Sequence, residues 1–355
     1  MLKVLITSVW LLGLLFGTMA HATSVVFLNP GTSTETFWVS YTQFMQAAAK
    51  DLGIALRVRY SERDPAVMLV QAREALQGSA RPDYLMLVNE QYAAPQILRM
   101  AEGSGVKLLI VNSTPTPDQV RMLGARNDAE WIGSLVANDE EAGYLMLTDL
   151  LRQHGPIAPG QLLDLLAFSG VKNTPAAQLR EQGLRRALAE HPQVRLRQMV
   201  YGEWTQARAF EQATQLFKRY PQTALVWSAN DQMALGAMRA LDYSGRAAGK
   251  DVLFSAVNSS PEILKARLDG RLSALVAGHF TLGGWALVLI GDDANGIDIG
   301  AHGGRDREVR LFQLIDRAQA QRLLGPLPAV NFRAMSAKGK PASYRYPFSL
   351  QPLLR

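Results

Sequence analysis

Short unbroken apolar runs alternate with longer amphipathic stretches along almost the whole chain, and that alternation limits the fold more than any single motif. The first run, Ser24-Val-Val-Phe-Leu28, stops at Asn29-Pro30-Gly31. Apolar residues then recur at helical spacing over 37–52, and Gly53 ends them. A strand at 56–60 follows, then a helix over 64–76 that opens with Asp64-Pro65, a cap and a first-turn proline. Strands at 84–88 and 106–111 flank a helix at 94–101. Buried runs separated by amphipathic helices are the pattern of a parallel sheet covered on both faces.

The pattern then starts again. Helices are expected at 139–152, 174–190, 205–220, 232–244 and 261–268. Between them lie strands at 162–168, 196–201, 224–227, 252–257 and 272–276. A helix at 281–290, a strand at 309–315 and a short helix at 318–324 complete the regular part, and from Gly325 onward a Pro-rich polar tail wraps the surface. Two units of this kind predict an α/β protein of two doubly wound parallel-sheet lobes joined by a three-stranded hinge. The first lobe is expected at 23–115 plus about 280–310, and the second at about 130–278. A hinge-crossing strand and tail take up about 311–355. Crossings between lobes are expected near 113–135, 255–260 and 277–283.

The amino terminus sets the compartment. Lys3 is the only charge ahead of a run over 4–19 that is almost wholly apolar, and Ala20-His21-Ala22 supplies small residues for cleavage. At about 16 residues the run is short for the roughly 20 of a membrane span. A secretory signal peptide over 1–22, cut after Ala22, is expected, with the mature protein in the periplasm. The chain has no cysteine, which excludes a lipid anchor at the exit and a disulfide-stapled fold. The net charge of +6 is spread among acids rather than clustered, so no nucleic-acid partner is expected.

Ligands of open α/β sheets bind beyond the carboxyl ends of the strands. Those positions hold Asn29, Asn89 and Asn112-Ser113 in the first unit. In the second they hold Ser169-Gly170, Trp204, Asn230-Asp231 and Asn258-Ser259. Neutral amides dominate, and an amide offers the donor and acceptor that a hydroxyl needs. Phe37 and Trp38 open the first helix, and Trp204 follows a strand of the second unit. Such rings cover the C–H face of a sugar while amides bond its rim.

These residues carry a resemblance. Trp227-Ser-Ala-Asn-Asp-Gln-Met-Ala-Leu-Gly-Ala-Met-Arg-Ala-Leu241 is similar to the matching segment of the ribose-binding protein and its relatives, the type I periplasmic binding proteins. Thr174-Pro-Ala-Ala-Gln-Leu-Arg-Glu-Gln-Gly183, Thr36-Phe-Trp-Val-Ser40 and Asn138-Asp-Glu-Glu-Ala-Gly143 resemble other elements of that family, in order, over about 24–290. The resemblance implies that Phe37 and Trp38 stack on a ligand from one lobe and Trp204 from the other. Asn89 and Asn112 would bond hydroxyls from the first lobe, and Arg180 and Asn230 from the second, with Asn258 near the hinge. Where the family's sugar binders carry Asp, this chain has Asn112 and Asn258. At the last crossing Gly278 stands at a family Gln position, with His279 beside it as a further candidate donor. That hinge and the long tail resemble the sensory branch, similar to the autoinducer-2 receptor and the trimethylamine-oxide sensor partner.

The implied function is reversible binding of a small polar ligand, a sugar or sugar-like molecule, by a monomer that hinges shut and serves an ABC permease. The alternative is a co-receptor for a membrane histidine kinase or cyclase. No cofactor or metal is expected: the histidines after residue 22 show no metal spacing, and 292–298 lacks the spacing and closing Glu of a calcium loop. A secreted carbohydrate-active enzyme would need two carboxylates facing one cleft, and Glu90 and Asp231 are the only ones at predicted strand ends.

Overall fold

The apolar runs assemble as two six-stranded sheets in the computed structural model, which describes residues 22–124, 130–326 and 328–354. The predicted signal peptide therefore lies outside the described residues, apart from Ala22. The first sheet contains β1 (Ser24–Asn29), β2 (Ala55–Tyr60), β3 (Tyr84–Leu87), β4 (Lys107–Val111), β5 (Trp131–Ala137) and β11 (Asp306–Val309), ordered β11-β5-β4-β3-β1-β2 and wholly parallel. The second contains β6 (Leu163–Ser169), β7 (Val194–Tyr201), β8 (Thr223–Ser228), β9 (Leu253–Val257), β10 (Ala274–Ala277) and β12 (Gln313–Leu314), ordered β12-β10-β9-β8-β6-β7. Only β12 runs antiparallel, against β10. The central strands β1, β3, β6 and β8 are buried almost throughout, whereas edge strand β2 alternates, as one exposed face requires.

The helices of the first lobe are α1 (Thr36–Leu52), α2 (Pro65–Gln77), α3 (Ala94–Ala101), α4 (Pro117–Leu123) and α10 (Leu282–Ala294). Those of the second are α5 (Asp139–His154), α6 (Pro175–Glu190), α7 (Gln206–Arg219), α8 (Asp231–Tyr243), α9 (Pro261–Leu268) and α11 (Arg317–Leu324). Asp64 caps α2 as expected, its side chain accepting from the Ala66 N–H.

The crossings differ from expectation. β5 and α4 fall in the segment read as a connector. Gly133 and Ser134 interrupt the apolar run of β5, and its strand character comes from pairing with β4 and β11. The first crossing is therefore at Asn138, between β5 and α5, and 131–137 belongs to the first sheet. The segment 255–260 joins β9 to α9 inside the second lobe and crosses nothing. The second crossing, at 278–281, is a short 3-10 turn between β10 and α10. The strand expected at 309–315 is two strands in different sheets, and residues 310–312 between them make the third crossing.

α10 is apolar on every side, so α1 and the sheet alone would leave part of it wet. The tail covers the remainder. Phe332 and Phe348 lie 5.3 and 5.7 Å from Trp285, and Phe332 also meets Phe44 edge-on. Asp292 accepts from the Ser336 hydroxyl, the Ala337 N–H and the Tyr346 hydroxyl, and Asp51 accepts from the Phe332 N–H. Phe332→Ala should cost about 3–5 kcal/mol of stability, the usual price of removing a buried phenyl ring. Urea unfolding measures it, and a loss below about 1 kcal/mol would mean that the tail merely rests on the lobe.

Candidate functional site

Residues that follow strands of both sheets line one cavity between the lobes, with about 40 Å³ open to the centre of a water-sized sphere. The first lobe supplies Glu35, Phe37, Trp38, Arg63, Glu90 and Asn112; the second supplies Thr174, Ala176, Arg180, Trp204, Asn230 and Asn258; His279 comes from the second crossing.

Backbone strain gathers at the same place. Among the described residues, the non-glycine positions with positive φ are Glu62, Arg63, Gln91, Tyr92, Asn112, Glu203, Trp204 and Asn258, and every one lies just past the carboxyl end of a strand. Left-handed backbone at ordinary residues costs of order 1–3 kcal/mol and persists only where the surroundings enforce it. The two lobes do so in parallel ways. Glu62-Arg63 follows edge strand β2, and Glu203-Trp204 follows edge strand β7 at the corresponding position of the other sheet. Gly31 after β1 leaves room for the Trp38 ring, and Gly170 after β6 leaves room for that of Trp204. A Cβ at either glycine would lie 2.0 Å from the indole.

Eight of the nine candidate residues line this cavity: Phe37, Trp38, Asn112, Arg180, Trp204, Asn230, Asn258 and His279. Asn89 does not. Its amide donates to the Thr114 carbonyl and to Gln119 Oε1, and its oxygen accepts from the Ala94 N–H, so it fastens the loop after β3. The next residue, Glu90, faces the cavity in its place.

Sequence reasoning missed Glu35 and Arg63 as well. Arg63 donates to both Glu35 carboxylate oxygens and, at 2.8 Å, to Glu90 Oε1. Burial raises the Glu90 carboxyl above its ordinary range, against the pull of Arg63. Ser61-Glu62-Arg63-Asp64 reads as a solvated turn. The rule that ligands sit past strand ends would have marked Arg63 had it been applied to β2. The carboxylates absent at Asn112 and Asn258 are thus present on another part of the wall.

In the second lobe Arg180 is buried and engaged on all sides. It pairs with Asp139 through Nε and Nη2 at 2.8 and 2.7 Å and donates from Nη1 to the Ala229 carbonyl at 2.7 Å. Its Nη2 lies 3.4 Å from His279 Nε2. Burial raises the Asp139 carboxyl, and Arg180 opposes the rise. Asn230 is similarly occupied: its oxygen caps α8 through the Met233 N–H, and its amide donates to the Trp204 carbonyl. It therefore holds Trp204 in position.

Four other polar atoms of the lining are unpaired. Trp38 Nε1, Trp204 Nε1, Asn258 Oδ1 and His279 Nδ1 are buried without a hydrogen-bond partner, and all four residues line the cavity. A guanidinium can only donate, so His279 Nε2 accepts from Arg180 and its proton sits on Nδ1. The wall therefore offers three unpaired donors and one unpaired acceptor, set among aromatic rings. Phe37 stacks on His279 at 4.5 Å and 21°, and the Phe312 ring also lies 4.5 Å from the imidazole, tilted by 36°.

A family described as the periplasmic binding protein domain matches residues 25–294. A solved periplasmic sugar-binding protein from Pseudomonas fluorescens is 64% identical, with a TM-score of 0.88 over 94% of this chain and 100% of that one. The ribose import binding protein of Escherichia coli (strain K12) is 25% identical over 260 residues, 73% of this chain and 80% of that protein. A solute-binding protein of Actinobacillus succinogenes 130z, solved with bound D-allose, has a TM-score of 0.73 at 18% identity, covering 84% of this chain and 99% of that one. That last likeness carries the fold alone.

Burial, and then the neighbouring Arg180 charge, hold His279 well below the usual histidine value of 6.5. The unfolded chain takes up this proton near 6.5 and the folded chain does not. The contribution of His279 to stability is therefore full above about pH 6.5 and declines as pH falls below it. Its ring resonances should stay fixed between pH 8 and pH 6 in an NMR titration; a midpoint at or above 6.5 would contradict the buried, neutral assignment.

Proposed function

Because the chain belongs to the periplasmic binding protein domain family, we propose that it binds one small, neutral, hydroxyl-rich molecule, a monosaccharide or close relative, between its lobes. The observation that carries this reading is the set of four unpaired buried polar atoms on Trp38, Trp204, Asn258 and His279. A buried polar group left unsatisfied costs about 1–3 kcal/mol, so such a group commonly marks where a partner belongs. Sugar hydroxyls both donate and accept, so one ring can satisfy the indole and imidazole N–H groups and the Asn258 oxygen together. Its C–H faces are covered by the same aromatic side chains. Phe37, Trp38, Asn112 and Glu90 act from the first lobe and Trp204 and Asn258 from the second. Arg180 and Asn230 hold that second wall in shape.

The same arrangement supports binding without chemistry. Glycoside hydrolysis needs carboxyl groups on both sides of the scissile bond. Glu35 and Glu90 stand on one wall and share Arg63, and the lining residues of the second lobe include no acid. Asp231 is turned away, bonded to the Asn258 amide and the Ser260 N–H. The chain works in the periplasm and hands its ligand to an ABC permease, in keeping with a relative that is itself an import binding protein.

A thermal-shift screen against D-ribose, D-allose, L-arabinose and galactofuranose tests the reading. At a hundredfold over Kd a ligand of the folded state adds about 2.7 kcal/mol, or about 4 °C for a chain of this size. Asn258→Ala and Trp204→Ala should each weaken the binding sugar at least about tenfold with the fold intact. Unchanged affinity in both variants would place the site elsewhere.

A further inference from the structure

The strained turn after β3 has a second face. Glu90 points into the cavity, while Gln91 and Tyr92, with φ of 45° and 65°, reach across the mouth of the cleft to the start of α6. The Tyr92 hydroxyl donates to Gln178 Oε1 at 2.6 Å, and Asn173 Nδ2 donates to Gln91 Oε1 at 3.3 Å. Both bonds join the first lobe to the second. The turn is held from behind, because Gln119 donates to the Tyr92 carbonyl at 3.2 Å and itself accepts from the Asn89 amide at 2.9 Å. Gln178 is likewise fixed, its Nε2 donating to the Lys172 carbonyl.

We propose that Tyr92 is a positioning residue that latches the two lobes in the closed state through Gln178, with the Asn89–Gln119 pair keeping the strained turn in latching geometry. Each half of the latch is also bonded within its own lobe, so little ordering is lost on closure and the bond favours the closed state. The same short turn carries Glu90, so the wall and the latch move as one piece. The latch rests on the reading of a chain that opens and closes, and it does not depend on which molecule the cavity takes.

The chain has no cysteine, so Val70→Cys and Tyr243→Cys give two exposed labelling sites, one on each lobe. Single-molecule energy transfer between dyes at these sites reads the ratio of closed to open molecules in the full mature chain. The ratio is measured without sugar and again with D-ribose, D-allose and L-arabinose together. Tyr92→Phe keeps the ring and removes only the hydroxyl, and it should lower the ratio about fivefold, the factor expected of one net hydrogen bond. Gln178→Ala should lower it similarly, and the double variant should fall no further than either single one. The melting temperature without sugar should stay at the parent value, which a purely structural role for Tyr92 would not allow.

An unchanged ratio in Tyr92→Phe, additive losses in the double variant, or no closed molecules in the parent under either condition would overturn the latch. If no sugar raises the closed population, the sugar reading fails while the unliganded ratio still tests Tyr92.

Discussion

Arg180 touches every point at which the chain passes between lobes. Its ion pair with Asp139 sits at the first crossing, His279 Nε2 at the second, and its guanidinium lies 5.6 Å from the Phe312 ring at the third. A guanidinium offers donors only, so each buried one needs a partner, and breaking such a pair costs about 3–5 kcal/mol. Satisfying Arg180 therefore ties the first two crossings together, with the Phe312 ring of the third packed beside them, and the strand ends of the two sheets meet around one cavity. The Trp204 ring, 5.8 Å from the same guanidinium, is drawn into the same cluster. The second wall is built first as a structural centre and only then as a ligand surface.

The lobes repeat one solution without repeating a sequence. Each sheet bends its edge-strand loop into left-handed backbone to aim a side chain inward: Arg63 from one, Trp204 from the other. Each sets an indole against a glycine that follows its first strand. What the lobes share is a set of conformations at strand ends. Their chemistry differs: the first wall carries both acids of the lining, paired through Arg63, and the second carries none.

Most strands and helices were legible because burial imposes a period on sequence, and Ser24–Asn29 or Ala94–Ala101 needs little more than that period to be found. β5 was not, because glycine and serine break its apolar run and only its neighbours make it a strand. The crossings were misjudged for a related reason: periodicity reports that a segment is buried, not which sheet it joins. The candidate residues were found largely by position past strand ends and by family resemblance. Asn89 failed because its surroundings already supply three partners, which no local pattern reveals. Arg63 and Glu35 were missed because paired charges near a turn look like solvated surface until the fold brings Glu90 against them.

The central claim is that the unpaired N–H groups of the cavity are the ligand's hydrogen-bond donors, and tryptophan offers a direct reading of it. Among the described residues, Trp131, Trp227 and Trp285 donate to the Gly133 carbonyl, the Gly143 carbonyl and the Thr281 hydroxyl. Trp38 and Trp204 have no partner. The measurement is the set of indole N–H resonances of the mature chain, recorded by NMR with and without a binding sugar. The indole signals of Trp38 and Trp204 should move on binding, while the other three stay in place. A sugar that binds and leaves both of those signals unmoved would contradict the account.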